Sequence, residues 1–421
     1  MPTHHPLLIL GAGPAGAMTA LRLSHAGTPC VLLDRATFPR DKVCGDALSG
    51  MVPTLLDRLD PAIMDRFRAR YRPQDIYGLR FVHANGKRID LPYYPDPKDD
   101  KGVAPGYVSK RIDFDNFLIE EVERRADIDF RPGVDVKTYE KIENGYRVTT
   151  KGGEVLTTNL LIDATGAHSQ FSRKHAGLEK DVAHHAAAVR SYWKGVTGFH
   201  PDGFIEIHFV EEYMPGYLWI FPLPNGEANV GLGMRSDEVK KQGINLRAAL
   251  DDIIASPQFR DRFAGAECID PTIGYGLPLG SKDRVLSGDN FLLTGDAGHL
   301  IDPLSGEGIG NAAYSGIIAA ELAVKCLAEN RFDAEFLKDY DVRIERVLRG
   351  ELRLSYKLQK MLQVKWLGNL IVGIIAGNPR VVEIISRMYT DSELREQLVK
   401  PGFWIRHFFG KFKKTPAPAN H

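Results

Sequence analysis

The chain opens on a short apolar run, LLIL (7–10), broken by GAGPAG; AMTALRLSHAG then repeats apolar positions at helical spacing, and CVLLD (30–34) is apolar again. This pattern predicts strand, glycine turn, helix and strand, a βαβ unit. After a loop-like stretch from Phe38 to Gly50, TLLDRLDPAIMDRF and RIDFDNFLIEEVERRA (111–126) carry helical periodicity. YGLRFVHANGKRIDLPYY (77–94) alternates around Asn85-Gly86, the signature of a hairpin. DVKTYEKIENGYRVTTKGG predicts short strands turning at Asn144-Gly145, and LLIDATG (160–166) a buried strand.

From about 185 to 280 the pattern is strand-like, as in FIEIHFV, YLWIFPL and EANVGLG, which predicts a separate, mostly antiparallel sheet. NFLLTGDAGHL (290–300) is again strand then turn, GIGNAAYSGIIAAELAVKCLA (308–328) is a long helix, and the remainder is helical and increasingly basic. The expected fold class is α/β. A discontinuous Rossmann-like domain is expected over 1–76, 105–184 and 281–350, with an inserted sheet domain over 77–104 and 185–280 and a C-terminal helical region over 351–421.

A length of 421 residues calls for more than one core. Equal numbers of basic and acidic residues, 54 each, remove any electrostatic case for nucleic acid. Cys30, Cys44, Cys268 and Cys326 have neither disulfide nor zinc spacing, and His4-His5 and His184-His185 have no ligand spacing, so no metal is expected. A reducing cytoplasm is the expected compartment. MPTHHPLLILGAG lacks the features of a signal peptide, and WLGNLIVGIIAG (366–377) is too short to span a bilayer. That segment and a tail carrying Phe408, Phe409, Lys411, Phe412, Lys413 and Lys414 are candidate peripheral contacts at the inner membrane face.

Gly11, Gly13 and Gly16 form GxGxxG between a strand and a helix, where glycines permit a tight turn and close approach to a pyrophosphate. Asp34 ends the next strand 18 residues after Gly16, placed to accept from ribose hydroxyls. LLTGDAGHLIDPLSGEGIGNAAYSG (292–316) supplies a second element. Asp296 can accept from a ribityl hydroxyl, while Gly306, Gly308 and Gly310 precede a helix whose N-terminus favours negative charge on a reduced flavin. An extended FAD needs both elements.

The two fingerprints, with FPRDKVCGDALS around Cys44, resemble the geranylgeranyl reductase family within the p-hydroxybenzoate-hydroxylase-like flavoproteins. The resemblance covers about residues 5 to 350, and Pro39, Arg40, Lys42, Cys44 and Gly45 are its most specific part. It implies flavin contacts at Ala15, Asp34, Cys44, Gly45, Asp46, Arg111, Asp296, Gly308 and Ile309, with Arg35 beside them and Val136, in the strand after the RIDFDNFL helix, at the adenine end. It also implies that Tyr217, Trp219, Phe221 and Pro222 of YLWIFP line a pocket for an isoprenoid chain.

Thr165 stands in DATGAHS where related hydroxylases usually carry Asp, and Tyr217 and Phe221 depart from the Trp-x-Trp-x-Ile-Pro of halogenases. Both departures favour a reductase that saturates prenyl double bonds on a lipid, quinone or related isoprenoid. An FAD monooxygenase or halogenase acting on an aromatic or polyketide-like substrate is the alternative. No second GxGxxG is present for NADPH, so NADPH binds transiently or a ferredoxin-type protein donates. Cys44, as a thiol, is the candidate proton donor or alkene-positioning residue, and Tyr217 and Trp219 can stabilise positive charge through their ring faces.

Overall fold

The computed structural model describes residues 2–94, 102–363, 373 and 378–387. Six strands form the nucleotide-type sheet in the order Ser287–Gly288, Phe291–Leu293, Leu160–Asp163, Leu7–Leu10, Cys30–Asp34, Ile128–Pro132. All neighbours are parallel except the first pair. Leu7, Leu8, Ile9 and Leu10 are all essentially solvent-free, as expected of a strand covered on both faces.

The opening helix (Pro14–His25) crosses the long helix (Ile309–Glu329) at small residues. A Cβ on Gly316 would lie 2.4 Å from the Ala15 carbonyl oxygen, and the Thr19 hydroxyl donates to the carbonyls of Ala15 and Gly316. Close crossing draws the N-termini of both helices towards the same place: Ala15, Ala164 and Ala312 pack together there.

A larger sheet runs Glu267–Cys268, His185–Lys194, Glu227–Arg235, Tyr217–Pro222, Phe204–His208, Gly78–Val82, Arg88–Pro92, with Ile273–Pro278 also paired to His185–Lys194. The hairpin at 78–92 therefore joins the sheet built from residues after 185. Its pairing to Phe204–His208 is parallel, while the others are antiparallel. Alternation divides the residues cleanly. Leu218, Ile220, Val230 and Leu232 pack on one face, and Ile205, Ile207, Trp219 and Phe221 on the other.

The strand-like reading of 185–280 overlooks three helices, Ser236–Gln242, Leu246–Ala255 and Arg260–Phe263. The middle one has its own signals. Asn245 caps it by accepting from the amides of Arg247 and Ala248, and Leu246, Ala249, Leu250, Ile253 and Ile254 are buried at helical spacing.

Two smaller sheets complete the strands, one of Thr3–His4, Val155–Thr158, Gly145–Thr150 and Val136–Ile142, the other of Ala47–Leu48, Gly106–Val108 and Gln74–Ile76. The helical run continues from Ala334 through a π-helical turn at Glu345–Arg349 to Leu362. Leu337, Tyr340, Leu348 and Leu352 tie it into the main core. No helix among the described residues is long and apolar enough to cross a membrane. Apart from Gly373, WLGNLIVGIIAG lies outside the described residues, as does the basic-aromatic tail.

Candidate active site

Gly11 has φ +92°, and a Cβ there would stand 2.4 Å from the Ala164 carbonyl oxygen; one on Gly16 would stand 1.8 Å from that of Gly11. Only glycine fits either position. Asp34, largely buried, fastens this turn by accepting from the amides of Ala12 (2.6 Å) and Ala36 (2.8 Å). Each carboxylate oxygen retains a further lone pair for a ribose hydroxyl. Gly13 caps the opening helix, whose first-turn amides have no intrahelical acceptor. A glycine cradle, a spare carboxylate and an uncapped helix N-terminus fit the pyrophosphate and ribose of an extended dinucleotide.

At the second element, Asp296 accepts from Lys42 at 3.0 Å, and Gly308 caps the long helix with its Cα hydrogen side towards Ile301 and Asp296. The N-terminus of that helix is partly occupied by its own chain, because the Glu307 carboxylate accepts from the Gly310 amide at 2.7 Å. Burial pushes the Glu307 carboxyl up, opposed by the Gly310 amide and the Ser49 hydroxyl. Through Ser49 the loop after Cys44 is tied to this helix. Ile309 is buried in the core beneath it.

The Cys44 loop lies against the aromatic face of the large sheet. A Cβ on Gly45 would be 3.2 Å from the Phe221 ring and 3.6 Å from the Trp219 indole nitrogen. Trp219 and Phe221 are buried, Tyr217 is half-buried, and the three rings follow one another at 6.3 and 6.4 Å. Tyr217 reaches the flavin-type loop, its hydroxyl donating to the Ser305 carbonyl at 2.9 Å. Pro222 ends the strand, paired with Ala228. The indole of Trp219 lies over Gly231, where a Cβ would come within 2.1 Å of it. Three sequence elements, at 38–50, 217–222 and 302–310, thus meet.

Charges around this junction are paired. Arg111 is buried and grips Asp115 with two bonds of 2.6 and 2.7 Å, and Arg40 adds a third at 2.8 Å. Burial pushes the Cys44 thiol up; Arg111 and Lys42 pull against it, and Asp46 adds to it. The thiol is thereby kept protonated, the state a proton donor requires. Thr165 donates to the buried Asp163 at 2.6 Å instead of presenting a carboxylate of its own.

Sequence reading missed Tyr192, Asn229 and Arg190. Asn229 accepts from the Trp219 indole (2.7 Å) and donates to the Cys44 carbonyl and to Asp46, both at 2.8 Å. Tyr192 donates to Asp46 at 2.7 Å, and Arg190 stacks on the Tyr192 ring at 3.9 Å. The only available signal was an Asn and an Arg at inward positions of apolar strands.

Val136 opens the second strand after the RIDFDNFL helix, pairing with Thr150; the first, Ile128–Pro132, lies beside Cys30–Asp34 with Pro132 opposite Asp34. The Val134 amide donates to the Asp34 carbonyl at 2.8 Å. His185 is a buried strand residue bonded to Ser236. Arg35 is exposed at the edge of the cradle. Clefts of about 300 and 420 Å³ lie elsewhere, beside the opening helix, lined by residues including His25, Leu59 and Arg346.

Residues 4–218 match an FAD binding domain model, and residues 187–269 match the geranylgeranyl reductase catalytic domain. The chain is 30% identical over 373 residues to a digeranylgeranylglycerophospholipid reductase of Methanoculleus marisnigri, covering 86% of this chain and 87% of that one. It is 30% identical over 329 residues to a menaquinone reductase of Mycobacterium tuberculosis, covering 75% and 76% respectively. In fold it is similar to a geranylgeranyl bacteriochlorophyll reductase-like protein from Thermoplasma acidophilum (TM-score 0.78, 21% identity, 94% of this chain and 99% of that one). A triple mutant of the flavin-dependent brominase Bmp2 shares that fold (TM-score 0.74, 20% identity, 94% and 98%). With its glycine cradle, its Cys44 loop and its aromatic strand brought together, the chain belongs to the geranylgeranyl reductase family of FAD-dependent oxidoreductases.

Proposed function

We propose that this protein saturates carbon–carbon double bonds of a prenyl chain carried on a lipid or quinone. The observation that carries the reading is the close approach of Gly45 to the aromatic strand, where a Cβ would stand 3.2 Å from the Phe221 ring and 3.6 Å from the Trp219 indole nitrogen. It sets the loop that carries Cys44, whose thiol is pushed up by burial, against an aromatic, apolar wall at the edge of a flavin-type cradle. Bound FAD, once reduced, supplies a hydride. The chain's own residues do the rest: Asp34, Asp296 and the two helix N-termini hold the cofactor, and Tyr217, Trp219, Phe221 and Pro222 border the alkene.

Cys44 delivers the proton to the alkene carbon that does not receive the hydride. Where protonation runs ahead of hydride transfer, the positive charge that builds on the other carbon is stabilised by the Trp219 and Tyr217 faces, by about 0.5–2 kcal/mol. The relatives named for a phospholipid and for menaquinone support a prenyl chain as the shared element, with the head group as the variable one. NADPH or a ferredoxin-type protein reduces the flavin. An apolar substrate of this kind calls for peripheral contact with a membrane, and flotation with liposomes tests that.

The decisive experiment incubates the reduced, FAD-loaded protein without oxygen with a geranylgeranyl phospholipid and with a menaquinone. Mass spectrometry should record gains of two hydrogens per bond. A product that forms only with oxygen, or with halide and oxygen, would replace this reading with the monooxygenase or halogenase one, whose fold the chain shares. A flavin that cycles while every alkene stays intact would make the protein an electron carrier.

A further inference from the structure

Arg190 has no exposed side-chain surface, and the cross-strand register puts it in one row with Gly231 and Trp219. It therefore shares the aromatic face of the large sheet. Its guanidinium bonds Asp41 and Asp270, each at 2.6 Å, and stacks on the Tyr192 ring at 3.9 Å. Its Nε is buried with no hydrogen-bond partner. Taking a cation out of water is costly, and an apolar side chain of similar volume serves packing at least as well. Packing alone does not account for a charge here.

The charge holds the stretch of chain that carries Cys44. Arg190 and Tyr192 lie two apart on one strand, so their side chains leave the same face. Arg190 takes Asp41, and the Tyr192 hydroxyl donates to Asp46 at 2.7 Å. Cys44 lies between those two anchor points, and Asn229, opposite Tyr192, adds a bond to its carbonyl. The neighbours of Asp41 are tied elsewhere. Arg40 pairs with Asp115 on the helix Arg111–Glu123, and Lys42 pairs with Asp296 of the second flavin-type element. Of these three consecutive charges, Asp41 alone is ion-paired to the large sheet among the described residues.

We propose that Arg190 is a positioning residue for Cys44: through Asp41 it fixes one end of the 41–46 segment on the sheet while Tyr192 fixes the other. The consequence for turnover rests on the alkene-reductase reading, since a displaced segment carries the thiol away from the alkene. Asp270 supplies a built-in control. It bonds the other terminal nitrogen of the same guanidinium but belongs to the loop before Ile273–Pro278, so it has no hold on the segment. The two carboxylates are matched, because each is about one-third exposed and losing either leaves Arg190 with one partner.

The test compares Asp41→Ala with Asp270→Ala, both loaded with FAD, by the rate at which iodoacetamide alkylates Cys44, read by peptide mass spectrometry at about pH 8. Each variant loses one negative charge beside the same guanidinium, so a difference between them reports movement of the segment. Asp41→Ala should be alkylated roughly tenfold faster than Asp270→Ala, as expected for the loss of one charge-assisted hydrogen bond. In single-turnover alkene reduction by the pre-reduced proteins, Asp41→Ala should lose roughly tenfold or more in maximal rate, with its half-saturating substrate concentration within about twofold. Asp270→Ala should stay within about twofold of wild type in both. Arg190→Met should match Asp41→Ala, and the double variant should be no slower than Arg190→Met, because the arginine acts through the aspartate. Equal alkylation of the two alanine variants overturns the proposal, as does a double variant whose losses add. If Arg190→Met fails to fold or to retain FAD, the two alanine variants decide alone. A wild type that never reduces an alkene, with Cys44 still alkylated faster in Asp41→Ala, overturns the reductase reading and leaves the positioning intact.

Discussion

The indole nitrogen of Trp219 donates to Oδ1 of Asn229 at 2.7 Å, and the other end of that amide holds the Cys44 carbonyl. One buried side chain therefore sets both the tilt of an aromatic wall and the position of the thiol loop. The cross-strand register explains how. Asn229 stands between Tyr192 and Phe221, and Gly231 between Arg190 and Trp219.

Replacing Asn229 with Leu should leave the Trp219 N–H and the Cys44 carbonyl without partners in a buried site. The loss should be about 1–3 kcal/mol, read as a lower thermal midpoint and a rate of alkene reduction down by at least tenfold. FAD should still bind, because Asn229 touches none of the cradle glycines. Equal loss of flavin and activity would show that the amide holds the fold and not the site.

Asp296→Ala should weaken FAD by about 1–3 kcal/mol, roughly fivefold to 150-fold in affinity. It removes the candidate acceptor for a ribityl hydroxyl and leaves Lys42, which it pairs at 3.0 Å, without its carboxylate. Lys42→Met removes the cation alone. If the loss in Asp296→Ala comes from the stranded Lys42, the double variant should recover affinity. If it comes from the hydroxyl contact, the double variant should bind no better than Asp296→Ala. Fluorescence titration of apoprotein with FAD separates these cases, and unchanged affinity in all three proteins would remove Asp296 from the cofactor site.

Much of this was legible in the chain because it depends on backbone. Gly11 and Gly16 are demanded by contacts of 2.4 and 1.8 Å that no other residue survives, so their spacing announces the cradle. The alternation in YLWIFP likewise fixes which side chains share a face. What local pattern does not carry is register and long-range pairing. Asn229 is one polar residue in EANVGLG until Phe221 and Tyr192 flank it, and Lys42 and Asp296 are 254 residues apart. The helices between 236 and 263 escaped because they are short and interrupt a stretch otherwise dominated by strand alternation.

His185 gives the protein a predictable acid sensitivity. It is buried on its strand, bonded to Ser236 at 2.9 Å, and burial first, then Lys180 and His168, pull its imidazole down to about 4. Above about pH 6.5 the folded and unfolded forms are both neutral and its contribution to stability is complete. Between 6.5 and about 4 the unfolded chain takes a proton that the folded one refuses, so up to about 3 kcal/mol is lost on acidification. His185→Gln retains a partner for Ser236 without titrating. Its thermal midpoint should fall less than that of wild type between about pH 7 and 5, and parallel curves would mean that other groups dominate the acid response.

Cys44 carries the sharpest prediction. Its loop is fixed from three sides: Gly45 against Trp219 and Phe221, the Cys44 carbonyl on Asn229, and Ser49 on Glu307. Substitution at the sulfur alone need not disturb any of these. Cys44→Ser keeps the size and a hydrogen to donate but raises its pKa far above that of a thiol, and Cys44→Ala removes the donor. If the thiol delivers the proton, both variants should bind FAD and accept electrons at near-normal rates, yet reduce the alkene slowly, Ala slowest. If Cys44 only shapes the loop, Ser should be almost normal and Ala should chiefly loosen FAD. Single-turnover mixing of the pre-reduced proteins with a prenyl substrate distinguishes the two, since flavin reduction is already complete and only the step at the alkene is timed. A wild-type rate in Cys44→Ala would leave the sulfur a packing atom at the edge of the main core, and the proton would have to reach the substrate by another route.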